Sequence, residues 1–342
     1  LKALVVRLSA IGDVVHTLPA VAALRREGWS VGWAVEPLSR VLLDQNPAVD
    51  EVQGLPAARR FRLGDARSAV VALRHAGYDL ALDFQGLWKS AAWARLSGAR
   101  RVLGYARPWR REPASALLVS ERVPLPPDAV HVIDKNLALL RGIGIDAVGT
   151  RQFPLPDTAA ESSRVDHELR ASGLRDFVVL NPGGGWASKL WPAERFGALA
   201  VKLRDRGLPA VVTWGPGEEA LADRVVAASG GIATRCFPTA LLEYVELARR
   251  ARLVVAADTG TLHLACAIAT PVVGLFGPTD PARNGPFAPA DRTVRRVPPC
   301  APCHRRVCPT HQGIMDAISV DEVLQAIDER LGARSRDVLR AV

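Results

Sequence analysis

Apolar residues in this chain fall alternately into short runs and into stripes of helical period, and that alternation sets the expected architecture. Residues 3–7 (ALVVR) make a run that fits a buried parallel strand, followed by a turn at 9–13. A helix is expected over 13–27, where Val14, Val15, Leu18, Val21, Ala22 and Leu24 keep a 3.6-residue period until Gly28 closes it. Further strands are expected at 33–35, 49–52 and 80–83, with helices at 38–45, 66–76 and 87–96 between them. Strands that alternate with helices imply a parallel sheet covered on both faces.

The pattern breaks at residues 105–127, where five prolines stand among arginines, and resumes with a helix over 131–140 that ends at Gly142. Residues 149–161 are polar and contain Pro154 and Pro156, and they read as a linker. The expected domains are therefore 1–155 and 156–342. In the second, strands are expected at 177–180 and 210–213 and helices at 192–206, 218–228 and 241–248. Residues 253–281 then read as strand, tight turn, helix 261–268, strand 272–276 and a loop of phosphate-binding type. A last helix over 320–331 follows a loop rich in proline and cysteine.

Composition narrows the class. At 342 residues the chain is long for one core, and 49% hydrophobic with 23% charged residues is ordinary for a soluble enzyme. No window approaches the roughly 20 apolar residues of a spanning helix, and the amino terminus runs straight into a strand, so a cytoplasmic protein is expected. The 44 Lys and Arg against 35 Asp and Glu leave a net charge of +9. That balance favours anionic partners, and because the arginines are scattered rather than gathered in one stripe, phosphorylated or lipid-surface ligands rank above nucleic acid. Five cysteines in a chain without a secretory pattern argue against a disulfide framework.

Candidate chemistry sits at strand ends. Asp258, Thr259 and Gly260 follow a buried strand at the point where a helix would offer unpaired N–H groups and its positive dipole end. The loop 181–189 (NPGGGWASK) has three glycines that let the backbone approach a ligand, a hydroxyl at Ser188 and a point charge at Lys189. Together they favour a nucleotide diphosphate. Neither loop has the full G-x-x-x-x-G-K-[ST] pattern, which argues against an ATPase, and Gly12 alone after the first strand argues against a dehydrogenase. Asp13 stands at a helix start, where a cap explains it without chemistry and where a general base would also be kept ionised by the dipole.

The stretches R-L-S-A-I-G-D-V-V-H-T-L-P (7–19), D-F-Q-G-L-W-K-S-A (83–91), R-E-P-A-S-A-L (111–117), A-D-T-G-T-L-H-L-A (257–265) and F-G-P-T-D-P (276–281) resemble glycosyltransferase family 9, the lipopolysaccharide heptosyltransferases. The resemblance runs over nearly the whole chain, and its middle motifs are most similar to the heptosyltransferase I type. It implies a GT-B fold: α/β, with two Rossmann-like parallel-sheet domains facing across a cleft, acceptor in the first and ADP-sugar in the second. It also implies an inverting, metal-independent transfer of heptose from ADP-L-glycero-D-manno-heptose to a Kdo residue of Kdo-lipid A. The implied base is Asp13. Donor binding falls on Gly184, Ser188, Lys189, Asp258, Thr259, Gly260 and His263, with Glu219 as the ribose carboxylate and Glu218 left open beside it. Acceptor binding falls on Arg59, Arg60, Arg62, Gln85, Lys89 and Arg111, since Arg pairs well with carboxylated and phosphorylated sugars. No cofactor and no nucleic acid are expected, and the chain is expected to act as a monomer on the cytoplasmic face of the inner membrane.

One loop departs from that type. Cys300, Cys303, Cys308 and His311 are similar to a cysteine-bearing loop of the heptosyltransferase II type, and their spacing offers four ligands for zinc without a regular finger pattern. No metal is assigned to it. Heptosyl-Kdo-lipid A as acceptor, or a nucleotide-sugar epimerase of GT-B architecture, remain as alternatives.

Overall fold

The computed structural model describes residues 1–57, 62–301 and 313–340, and the chain divides into two units, Leu1–Asp157 and Thr158–Val342. The first unit runs β1 (Lys2–Val6), α1 (Ile11–Val15), α2 (Leu18–Arg26), β2 (Ser30–Val35), α3 (Pro37–Arg40), β3 (Glu51–Gly54), α4 (Leu63–His75) and β4 (Leu80–Asp83). It continues with α5 (Trp88–Leu96), β5 (Arg101–Tyr105), two 3-10 helices (Arg107–Trp109 and Pro113–Leu118), β6 (Glu121–Val123) and α6 (Val132–Leu139). The second unit runs α7 (Ala159–Ala171), β7 (Val178–Asn181), α8 (Ala193–Arg204), β8 (Ala210–Val212), α9 (Glu219–Ala228), β9 (Thr234–Arg235) and α10 (Leu241–Arg250). It ends with β10 (Leu253–Ala257), α11 (Gly260–Ala267), β11 (Val272–Phe276), α12 (Pro281–Asn284), β12 (Arg292–Arg295) and α13 (Val320–Arg340).

Each unit carries one six-stranded parallel sheet, in the orders β3-β2-β1-β4-β5-β6 and β12-β11-β10-β7-β8-β9. The two orders are one topology used twice: the first strand of each unit is central, and the winding reverses beside it. The reversal lies between β1 and β4 in the first unit and between β7 and β10 in the second. Loops leaving two neighbouring strands in opposite directions open a crevice at the carboxyl edge, which is where doubly wound sheets bind ligands. The central strands are buried along their length except at Lys2, the first residue of β1, as a sheet covered on both faces requires.

Several expected elements differ. The helix expected over 13–27 is two helices: the Thr17 hydroxyl donates back to the Asp13 carbonyl at 2.8 Å, and Pro19 has no N–H with which to continue the ladder. The helix expected over 38–45 is the single turn α3, because the chain turns through a positive φ of 59° at Gln45 and the Asn46 amide caps the Leu42 carbonyl. The stretch 105–127 holds two 3-10 helices and β6, and α7 begins inside the expected linker.

Candidate functional site

At the carboxyl edge of β7 and β10, Lys189 meets Asp258. Its Nζ donates to Asp258 Oδ2 at 2.6 Å and to the Asp258 carbonyl at 3.2 Å, and it sits 4.6 Å from the centre of the Trp186 ring. Asp258 Oδ1 accepts Asn284 Nδ2 at 2.6 Å and pairs with His263 Nε2 at 3.1 Å. Burial works against charge on this carboxyl. The hydrogen bond and charge of His263, with the charge and hydrogen bond of Lys189, outweigh it and hold the group well below the usual carboxylate range. An ammonium has three N–H groups, so two on Asp258 leave one for an anion.

The local fold explains this arrangement. Asp258 directly precedes the α11 N-cap, which is Thr259 and not Asp258 as a simple cap would have it. A relay of hydroxyls fixes the turn: Thr259 Oγ1 and Thr261 Oγ1 are 2.7 Å apart, Thr261 donates to Asn181 Oδ1, and Asn181 donates to Thr213. Lys189 closes a short 3-10 helix, Ala187–Lys189, at the end of the glycine loop. Ser188 lies half-buried within it.

Of the two adjacent carboxylates, it is Glu218 that reaches the glycine loop. Its oxygens accept from Gly184 N at 3.0 Å and Gly215 N at 2.9 Å, and a Cβ at Gly183 would run into it. Glu219 is the first residue of α9 and stands half-buried beside it. A side chain at Gly183 would therefore have to displace the Glu218 carboxylate.

In the first unit, Asp13 is the third residue of α1 and not its cap. The N-cap is Ala10, whose N–H is reached by Asp13 Oδ2 at 3.4 Å. Asp13 Oδ1 pairs with Arg7 Nη2 at 2.5 Å. Arg7, at the end of β1, is 5% exposed; its Nη1 donates to the Phe84 carbonyl, and its own carbonyl accepts Trp33 Nε1 at 3.1 Å. The carboxylate keeps 39% side-chain exposure, so it is oriented from behind by a buried cation and open in front.

The expected acceptor residues separate. Gln85 is occupied: Oε1 accepts Leu8 N at 2.9 Å and Nε2 donates to the Ser9 carbonyl, which ties the β4–α5 loop to the loop that leads to Asp13. Lys89 pairs with Glu36 at 2.6 Å. Arg62 and Arg111 are exposed at the carboxyl edge of the sheet, and Arg59 and Arg60 lie outside the described residues. Cys300 is exposed, and Cys303, Cys308 and His311 lie outside the described residues.

Three groups were not expected from the sequence. Arg7 carried a signal, a charge ending an apolar strand. Arg110, wholly buried, pairs with the wholly buried Asp83 and with Ser115. Asp83 Oδ1 also accepts from Gln85 N and Gly86 N, each at 3.1 Å, so this pair sets the loop on which Gln85 stands. Asn284 lay among ordinary loop residues and carried no signal.

Residues 67–313 match the family described as glycosyltransferase family 9 (heptosyltransferase). The chain is similar to lipopolysaccharide heptosyltransferase 1 of Pseudomonas aeruginosa, 30% identical over 326 residues that cover 90% of this chain and 87% of that protein. Among solved structures it is similar to the E. coli heptosyltransferase WaaC with ADP-2-deoxy-2-fluoro heptose, at 25% identity and a TM-score of 0.74, over 96% of this chain and 99% of that one. It is likewise similar to the E. coli ADP-heptose lps heptosyltransferase II, at 22% identity and a TM-score of 0.78, over 98% and 100%. The shared fold is GT-B, with two Rossmann-like units in one chain.

Proposed function

Because the chain belongs to glycosyltransferase family 9, the heptosyltransferases, we propose that it transfers L-glycero-D-manno-heptose from ADP-heptose to a Kdo residue of Kdo-lipid A, with inversion. That it is a glycosyltransferase follows from the family; donor, acceptor and stereochemistry are the reading argued for it. The observation that carries the donor side is the Lys189–Asp258 pair at the crevice between β7 and β10. A diphosphate leaving group brings negative charge to such a crevice. The third N–H of Lys189 and the amino end of α11 suit it, and both act most where charge grows in the transition state. The similar WaaC protein was solved with ADP-2-deoxy-2-fluoro heptose, and that likeness supports the same donor class here.

On the acceptor side, Asp13 takes the proton of the attacking hydroxyl as the bond to the anomeric carbon forms and the bond to the ADP oxygen breaks. One displacement with one base inverts the anomeric centre. Arg7 holds the carboxylate in place, and the exposed Arg62 and Arg111 suit a carboxylated and phosphorylated acceptor. Among the described residues no helix is long and apolar enough to cross a membrane, and a place on the cytoplasmic face of the inner membrane is part of this reading.

The test is a mass-spectrometric transfer assay with ADP-heptose against Kdo-lipid A and against heptosylated Kdo-lipid A. One heptose added to the first acceptor alone is the expected result. Addition only to the second reassigns the acceptor, and conversion of the donor without any acceptor points to an epimerase.

A further inference from the structure

Trp33, Trp191 and Trp214 each donate the indole N–H to a backbone carbonyl, of Arg7, Ile318 and Cys236. Trp186 is not tied in this way. Among the described residues its indole N–H meets no acceptor, and its ring lies instead on the Lys189 ammonium, whose Nζ is 4.6 Å from the ring centre. The backbone enforces that meeting. Trp186 is the N-cap of the 3-10 helix Ala187–Lys189, and its carbonyl accepts Lys189 N at 3.0 Å. Residues three apart across such a turn stand nearly above one another. Three glycines precede Trp186, and a Cβ on Gly185 would meet nothing within 4 Å, so the loop leaves the ring room to move.

The ammonium is therefore contested. Two of its three N–H groups go to Asp258, at 2.6 and 3.2 Å, and the Trp186 ring is the partner that remains for the third among the described residues. An anion at the carboxyl edge of β7 and β10 needs that same third N–H. The face of an indole carries negative potential, which attracts a cation and repels phosphate oxygens, so ring and anion do not share one side of the ammonium.

We propose that Trp186 and a diphosphate compete for the Lys189 ammonium, so that the ring moves off as the diphosphate of a nucleotide binds and returns as it leaves. Trp186 thereby limits how tightly the nucleoside diphosphate product is held. The inference rests on the donor side of the proposed function, a diphosphate at Lys189, and adds to it the residue that tunes its affinity and release.

The experiment is titration of the full chain with ADP and, separately, with inorganic pyrophosphate, followed by calorimetry and by indole fluorescence, for the parent, Trp186→Leu and Trp186→Tyr. ADP should change the fluorescence of the parent more than that of Trp186→Tyr, the difference being the signal of the displaced ring. Trp186→Leu, which removes the π face, should bind ADP about 2- to 20-fold more tightly, the range of a cation–π contact given up on binding. Trp186→Tyr keeps an aromatic face and should stay nearer the parent. Trp186 is half-buried in a loop, so both variants should fold, which circular dichroism checks, and the fluorescence comparison needs the Tyr variant alone. A ring that merely steadies the lysine gives the opposite sign, and looser binding in Trp186→Leu overturns the proposal. Equal affinity in the three proteins overturns it too, as does a fluorescence change kept in full by Trp186→Tyr. Pyrophosphate separates this inference from the donor reading. If pyrophosphate moves the Trp186 signal and ADP does not bind, the nucleotide donor falls and the competition stands. If the parent and Trp186→Leu bind ADP equally, the competition falls and the donor stands, and if neither anion binds, both fall.

Discussion

Arg7 is the residue that makes Asp13 more than a helix-start carboxylate. A guanidinium at 5% exposure is costly to bury, and it persists here because its donors reach Asp13 and the Phe84 carbonyl. The fork therefore sets where the carboxylate points. If Asp13 takes the acceptor proton, Arg7 is a positioning residue, and its removal should be felt in turnover and not in donor affinity. Arg7→Met should lower kcat by about 10- to 100-fold, roughly 1.4–2.8 kcal/mol of barrier, with the KM for ADP-heptose unchanged. Arg7→Lys, which keeps the charge and loses the fork, should recover part of the rate. A Met variant with parental kcat removes Arg7 from the role, and a raised donor KM with parental kcat moves it to the donor side.

At the scale of elements, the last helix shows what holds the second unit closed. Val323, Leu324 and Ile327 of α13 enter the core, Trp191 Nε1 donates to the Ile318 carbonyl at 3.0 Å, and Arg330 reaches Asp291 at 2.7 Å. The Asp291 side chain is 3% exposed and also accepts Val272 N from β11. Burial pushes its carboxyl up, against the hydrogen bond and charge of Arg330. Arg330→Ala leaves that carboxyl buried without its cation, and a loss of about 3–5 kcal/mol is expected. A group whose folded pKa is raised costs stability once it must ionise, so the deficit should be small near pH 4 and grow as pH rises. Adding Asp291→Asn should restore most of the loss, and urea unfolding of the four proteins in the cycle measures it. A deficit that is flat with pH, or no recovery in the double variant, refutes the account.

Elements also show what a linear reading can see. Strands at 253–257 and 272–276 are found at their expected bounds because every position in them is buried, so the apolar run is uninterrupted, and the strand at 80–83 is found as expected from its three apolar residues before the buried Asp83. Residues 121–123, 234–235 and 292–295 are edge strands reading ERV, TR and RTVR, and their solvent-facing charges leave no run to detect. The site divides in the same way. Lys189, Asp258 and His263 lie within ten residues after an apolar strand, in stretches marked by glycines and polar residues, a local signal. Gln85, expected at the acceptor, is spent on Leu8 N, a partner 77 residues away. Asn284 holds Asp258 across 26 residues. Such pairings come from the strand order and leave no trace in local pattern.

Over the whole molecule, one topology used twice has been given two kinds of polar group at the same place. Beside β7 the reversal carries a lysine, a glycine loop and a carboxylate that orients the lysine. Beside β1 it carries a carboxylate oriented by an arginine. A cation at the front suits an anionic leaving group, and a carboxylate at the front suits a proton to be removed, so the two units should fail in different ways. Lys189→Ala should weaken ADP binding by about 10- to 100-fold in calorimetry and lower turnover as well, because charge on the diphosphate grows as it departs. Asp13→Asn should bind ADP within about twofold of the parent and lose roughly 100- to 10,000-fold in turnover, the usual range for a positioned base. Weakened ADP binding in Asp13→Asn would place that carboxylate on the donor. Near-parental turnover in Asp13→Asn would leave the first unit without its base and require another group to take the proton.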